Sequence, residues 1–136
     1  MSIRRLIAVA LAILAISINF SYSAELSKEY TECINSKTKD QEWNECSKQE
    51  MDRQEKSLAG AWTEAYTTIK EVSARSAQLL LDEQRAWVKY KDTSCLFYAS
   101  GDFGREGQVL EFSACKAVII AQRIDSLKVL TRERKE

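Results

Sequence analysis

Histidine is absent from this 136-residue sequence, proline is absent too, and glycine occurs only four times. Without histidine the chain lacks the commonest general base near neutral pH and the usual activator of a serine or cysteine nucleophile. Its carboxylates do not fill the gap. In the first half glutamates alternate with lysines in the manner of a solvated helix face, and no pair stands out for acid–base work. The sequence is therefore not expected to be an enzyme. Phosphate-cradling glycine motifs are missing as well, because Gly101, Gly104 and Gly107 have the wrong spacing and follow no strand-like segment. The lack of proline, with glycine confined to Gly60 and the 101–107 stretch, predicts long helices with few interruptions. No segment alternates apolar and polar residues for long, so strands are not expected. Internal repeats and low-complexity segments are also lacking.

Residues 1–23 read as a secretory signal: Arg4 and Arg5 form a positive start, Leu6 to Ile18 an apolar run, and Ser21 and Ser23 occupy the small-residue positions before a cut. The apolar run falls short of the about 20 residues that cross a bilayer, and no cysteine follows the cut to carry a lipid. No stable membrane insertion is expected after cleavage. Residues 24–136 then form a single domain, periplasmic or secreted. Losing Arg4 and Arg5 from a balance of 20 basic and 20 acidic residues leaves the remainder acidic by two. That is not the footprint of a nucleic-acid binder.

All four cysteines, Cys33, Cys46, Cys95 and Cys115, fall in the exported part, where disulfides are the default. Four cysteines allow three connectivities, and sequence alone does not choose among them. Loop lengths favour Cys33 with Cys46 and Cys95 with Cys115, each closing a short loop around one chain reversal. A zinc site competes poorly, since there is neither a histidine nor a Cys-x-x-Cys pair. No metal or cofactor is expected.

The elements follow from spacing. A short helix is expected over 26–36, then a capping box at Thr38-Lys39-Asp40-Gln41, with Asp40 as the alternative cap. Met51, Leu58, Trp62, Ala65, Ile69 and Val72 keep the three-four spacing of a buried stripe, interrupted by Glu55. A tight turn is expected at Ser73–Ser76, because one helix running on to Cys95 would leave both faces uncovered. A third helix carries Leu80, Trp87 and Tyr90 and frays near Tyr98; Gln84, Trp87, Lys91 and Ser94 share its seam. Residues Ser100 to Gly107 read as a loop, and a last helix carries Phe112, Cys115, Ile119, Ile120, Ile124, Leu127 and Leu130 ahead of a solvated tail from Thr131. The expected fold is an all-α up-and-down bundle of three long helices plus a short N-terminal one, stapled by two disulfides. Trp43, Trp62 and Trp87 are read as core or partly buried anchors.

Binding is the chemistry left available. Between Glu25 and Glu55 acidic residues outnumber basic ones; they read either as ordinary solubility charges or as an end that steers a cationic partner. The loop held at its base by Cys95 and Cys115 is the second candidate, since a fixed loop loses less entropy on binding. Its residues Asp102, Phe103, Arg105 and Glu106 are the candidate partner-binding set, with Phe103 either entering a cleft or folding back on the core.

Taken together, the sequence resembles the LprI-like lysozyme-inhibitor family of small exported bacterial domains. The resemblance rests on Cys33, then Trp43-Asn44-Glu45-Cys46, Leu58 with Trp62, Gln84-Arg85-x-Trp87-x-x-Tyr90-Lys91-Asp92-x-x-Cys95, and finally Cys115, Arg123 and Leu127. Family members often differ in having asparagine where Ala59 stands, tyrosine where Trp62 stands, arginine for Lys91, threonine for Ile120 and aspartate for Glu55. The resemblance implies an all-helical domain that binds a protein partner, lysozyme by the family's founding activity, and inhibits it. In that setting Arg105 would approach the catalytic carboxylates of lysozyme, while Arg85, Asp92 and Arg123 read as polar clamps between helices. The alternative from a different class is an envelope interaction or assembly module without inhibitory activity.

Overall fold

The computed structural model describes residues 26–132. The signal segment, its cleavage site and Glu25 lie outside the described residues, as do the last four residues of the tail. The elements are α1 (Lys28–Asn35), α2 (Asp40–Val72), α3 (Ala74–Thr93), the short helical turns α4 (Leu96–Ala99) and α5 (Gly104–Glu106), a π-helical turn (Gly107–Glu111), and α6 (Phe112–Arg132). No strand occurs among the described residues. The all-helical expectation and the three long helices with a short leading one are thus observed.

The helices are joined by caps that the sequence supplies locally. Ser27 opens α1, its Oγ accepting from the backbone N–H of Tyr30 at 3.1 Å. The expected capping box at Thr38 does not form: α2 starts one step later, with Lys39 as its cap and no side-chain cap bond. The Lys39 carbonyl accepts from the N–H groups of both Glu42 and Trp43, which fixes the first turn at Asp40 and leaves Thr38 outside it. The break near Ser73 is present. Ser73 is extended (φ −160°, ψ 120°), ends α2, and caps α3 by accepting from the Ser76 N–H at 3.2 Å. One serine therefore does the work of a turn that has neither glycine nor proline.

Helix directions can be read from cross-links. Glu55 and Lys91, equidistant along the chain from Ser73, form an ion pair at 2.6 Å, so α2 and α3 make an antiparallel hairpin. Asp40 meets Arg105, and Glu64 shares a recess with Lys128 and Thr131, so α6 runs alongside α2 in the same direction. The helix α2 is the spine. It packs most extensively on α6 and next on α3, while α3 and α6 touch each other at few places.

Leu58, Ala61 and Ala65 of α2 and Ile120, Ile124 and Leu127 of α6 form the core, with Trp62, Trp87 and Leu130 packed against it. The same three-four spacing on both helices lets the alanines admit the larger side chains opposite. Each fully buried leucine or isoleucine there contributes about 1.5–3 kcal/mol. The expected stripe overreaches at Val72, which is 55% exposed because it stands beside the Ser73 turn at the open end of the hairpin. Conversely, Thr131 is buried, so the solvated tail does not begin there.

Candidate functional site

The two disulfides join Cys33 to Cys46 and Cys95 to Cys115, the pairing that loop length favours, and no described cysteine is free. The first ties α1 to α2. The second ties the end of the α3 hairpin arm to the start of α6, and the candidate loop is strung between its two halves. Helix α3 does not fray gradually toward Tyr98 as expected. It stops at Thr93, passes through Ser94 and the buried Cys95, and resumes as α4. Nor is Ser100–Gly107 an open loop throughout, since only residues 100–103 leave helical geometry before α5 and the π-helical turn begin.

This compaction is bought with glycine. Gly101 (φ 97°) and Gly104 (φ 68°) lie in the left-handed region that other residues rarely adopt. At Gly107 a Cβ would stand 2.6 Å from the Phe103 Cβ and 3.4 Å from the Tyr98 carbonyl oxygen, so only glycine lets the π-helical turn close on the aromatic residue. The Phe103 ring neither enters the core nor stands alone. It makes edge contacts with Phe97 and Tyr98, at centroid distances of 5.6 and 5.2 Å, and remains 54% exposed. Phe97 and Leu96 are also about half exposed. The result is an apolar patch at the tip of a covalently fixed loop.

Of the candidate partner-binding residues, Arg105 is committed within the molecule: its Nε donates to Asp40 Oδ2 at 2.7 Å, anchoring the loop to the first turn of α2. Asp102 accepts from the Ser100 hydroxyl at 3.1 Å, and Glu106 makes no ion pair among the described residues. Tyr98, Phe103, Glu106, Gly107 and Glu111 line an open recess of about 410 Å³. Tyr98 and Glu111 were not anticipated in this setting; no motif flags them, because the π-helical turn is what brings Glu111 round.

The acidic surplus near the start of the described chain is partly absorbed. Glu32 pairs with Lys28, Asp40 with Arg105, Glu50 with Arg53, and Glu55 with Lys91. Glu50 is the residue that sequence reasoning missed. It is 1% exposed and its carboxylate accepts from the Ser27 N–H (2.9 Å), the Ser27 hydroxyl (2.5 Å), Arg53 Nε (3.0 Å) and Gln54 (2.9 Å). Burial pushes its pKa up, but the hydrogen bonds from Gln54, Ser27 and Arg53 outweigh it and hold the carboxyl below its usual range. A signal was available: Glu50 falls four residues after Cys46 and eight before Leu58, on the same buried stripe.

The family-motif residues divide. Leu58, Arg123 and Leu127 are buried, Trp62 and Trp87 half-buried, and Asn44 exposed. Arg123 is a clamp between helices: Nε donates to Gln84 at 2.8 Å, Nη1 to Glu83 at 2.7 Å, and the guanidinium lies 5.8 Å from the Trp87 ring centre. The other two expected clamps do not bridge helices. Arg85 pairs with Asp82 on its own helix, and Asp92, 59% exposed, lies 3.9 Å from its neighbour Lys91. Both residues are exposed, whereas their neighbours Gln84 and Lys91 are half-buried and reach Arg123 and Glu55 on other helices. Tyr90 is likewise 55% exposed. Two departures from the family pattern, Glu55 and Lys91, prove to be the two halves of one ion pair, and Ile120 is fully buried where a hydroxyl would need a partner.

Among the described residues, no helix is long and apolar enough to cross a membrane, and no group of three potential ligands could hold a metal ion. What the geometry defines is a disulfide-stapled all-α domain that presents an exposed aromatic loop at one end. The family described as lysozyme inhibitor LprI matches residues 33–127, and the chain belongs to that family. No curated protein and no solved structure matches it.

Proposed function

We propose that the protein is an exported inhibitor of a lysozyme or related cell-wall hydrolase, released by removal of residues 1–23 and acting in the periplasm or outside the cell as the domain 24–136. The observation that carries this reading is the family match over residues 33–127. The stapled loop supports it: Asp102, Phe103 and Glu106 stand on a base fixed by Cys95–Cys115, and a rigid base lowers the entropy lost on binding a protein. Arg105 has a positioning part in this scheme, because its pairing with Asp40 holds the loop against α2. The acidic residues Glu29, Glu42 and Asp52, which make no ion pair among the described residues, add long-range attraction for a basic enzyme.

The test is lysis of a cell-wall suspension by animal-type lysozyme, with and without a molar excess of the oxidised domain, using a heat-unfolded sample as control. Dose-dependent inhibition by the folded protein alone is the expected result. Absence of both inhibition and binding at low salt would refute it and favour an envelope assembly module holding another periplasmic protein.

A further inference from the structure

We infer that the recess formed by Tyr98, Phe103, Glu106, Gly107 and Glu111 receives a basic side chain, arginine or lysine, of a protein partner. The inference rests on the reading that this loop is the partner-binding face, and it reverses the sign of the charge expected there. Arg105, the cation of the loop, is held by Asp40. Glu106 and Glu111 line the recess and make no ion pair among the described residues, so the charge offered to a partner is negative. Tyr98 and Phe103 line the same recess, and aromatic faces carry negative potential that attracts ammonium or guanidinium groups. Lys116, the nearest basic residue along α6, lies 5.4 Å from the Phe112 ring centre and does not line the recess.

The shape of this open recess is set by the local backbone. Phe103 is set against Gly107 with no room for a Cβ, the π-helical turn swings Glu111 toward the same opening, and the volume of about 410 Å³ accommodates the end of a long side chain. Half-exposed Phe103, which lines the recess and is backed by Phe97, would cover the aliphatic stem of that side chain. The shared chemistry is a cationic group on an apolar stem. A neutral apolar ligand would leave two carboxylates to be desolvated without compensation.

The test is an NMR titration of the oxidised domain with n-butylguanidinium and n-butylammonium, and with n-butylurea as the neutral comparison. Expected are saturable shifts of the Tyr98 and Phe103 rings and the Gly107 amide with both cations, little response to the urea, and binding roughly fivefold weaker in a Glu106→Gln, Glu111→Gln double variant. Unchanged resonances at Leu58 and Ile120 verify that this variant is folded; Phe103→Leu serves as the second variant and is expected to weaken binding as well. Equal shifts with the urea, undiminished affinity in both variants, or shifts spread over Glu29, Glu42 and Asp52 would each overturn the inference. Lysozyme inhibition without a cation response would sink this inference and leave the inhibitor reading standing. A cation response without lysozyme inhibition would support it and point to a different basic partner.

Discussion

Replacing Glu50 by alanine is expected to release the start of the described chain from the spine. The carboxylate takes four donors, two of them from Ser27, the residue that also caps α1. Removing it takes the acceptor away from the half-buried Ser27 N–H and hydroxyl. Arg53 is better placed to recover, because its side chain is 39% exposed and can turn to water. A fully buried donor left without a partner costs about 1–3 kcal/mol; because Ser27 and Gln54 are only half-buried and Arg53 can turn to water, the total cost is about 2–4 kcal/mol. Glu50→Gln keeps the shape but sets an amide N–H₂ against one of these donors, for about 1–2 kcal/mol.

The variant pair also separates charge from shape through pH. The folded-state pKa of Glu50 is lowered, so its contribution to stability is fully present above the unfolded carboxylate value and is lost as pH falls through the lower folded value. Urea unfolding of the oxidised protein followed by far-UV circular dichroism, at neutral pH and in steps below the usual carboxylate range, measures both effects. Amide exchange at Tyr30 and Thr31 reports the α1 end alone, since Cys33–Cys46 keeps α1 tethered in either variant. The parent should lose more stability on acidification than Glu50→Gln does. A Glu50→Ala protein within about 0.5 kcal/mol of the parent, with unchanged exchange at Tyr30, would refute the reasoning.

Three further outcomes are expected. Replacing Cys95 and Cys115 together by serine opens a loop with a sequence separation of 20 and should cost about 3 kcal/mol in denaturant titration, with loss of the near-ultraviolet signal of the loop aromatics. Gly107→Ala should destabilise by about 1–3 kcal/mol through the 2.6 Å approach to Phe103, whereas Gly60→Ala, in open space on α2, should stabilise by about 0.5–1 kcal/mol; thermal melts of the two variants check the contrast. Arg123→Lys should cost about 1–3 kcal/mol in urea titration, because one ammonium cannot serve Gln84 and Glu83 at once and keep the guanidinium contact with the Trp87 ring.

The fold was legible because its determinants are local and periodic. The apolar spacing at Leu58 and Ala65, and again at Ile120, Ile124 and Leu127, faces the core as expected, and the break at Ser73 follows from a capping serine and the need to cover two helix faces. What stayed hidden depends on partners distant in sequence. Glu50 looks like one more solvated acid until Ser27 is seen to deliver two donors to it. Arg105 looks free until Asp40, 65 residues away in the chain, is found beside it. The Thr38 cap failed for a nearer reason, since a one-residue shift in the start of α2 redirects every donor of the first turn. Glu111 joined the recess through a π-helical turn, a feature with no reliable sequence pattern.

These long-range links are not scattered. Because α2 and α6 run together and α3 runs back between Ser73 and Cys95, one end of the molecule collects Cys33–Cys46, Cys95–Cys115, the Glu50 cluster, the Arg105–Asp40 pair and the aromatic loop. The aliphatic core lies further along, and the buried positions toward the stapled end are small or polar: Cys46, Ser47, Glu50, Ser113 and Ala117. Hydrophobic burial alone holds that end weakly, so disulfides and a satisfied carboxylate take its place. This division explains how half-exposed rings can be kept in a fixed arrangement by so small a domain. It also implies that damage should be separable: loss of the staples should disorder the loop while leaving the Leu58–Leu127 core helical. A reduced protein that lost its core and its loop in one indistinguishable transition would argue against two regions held by different forces.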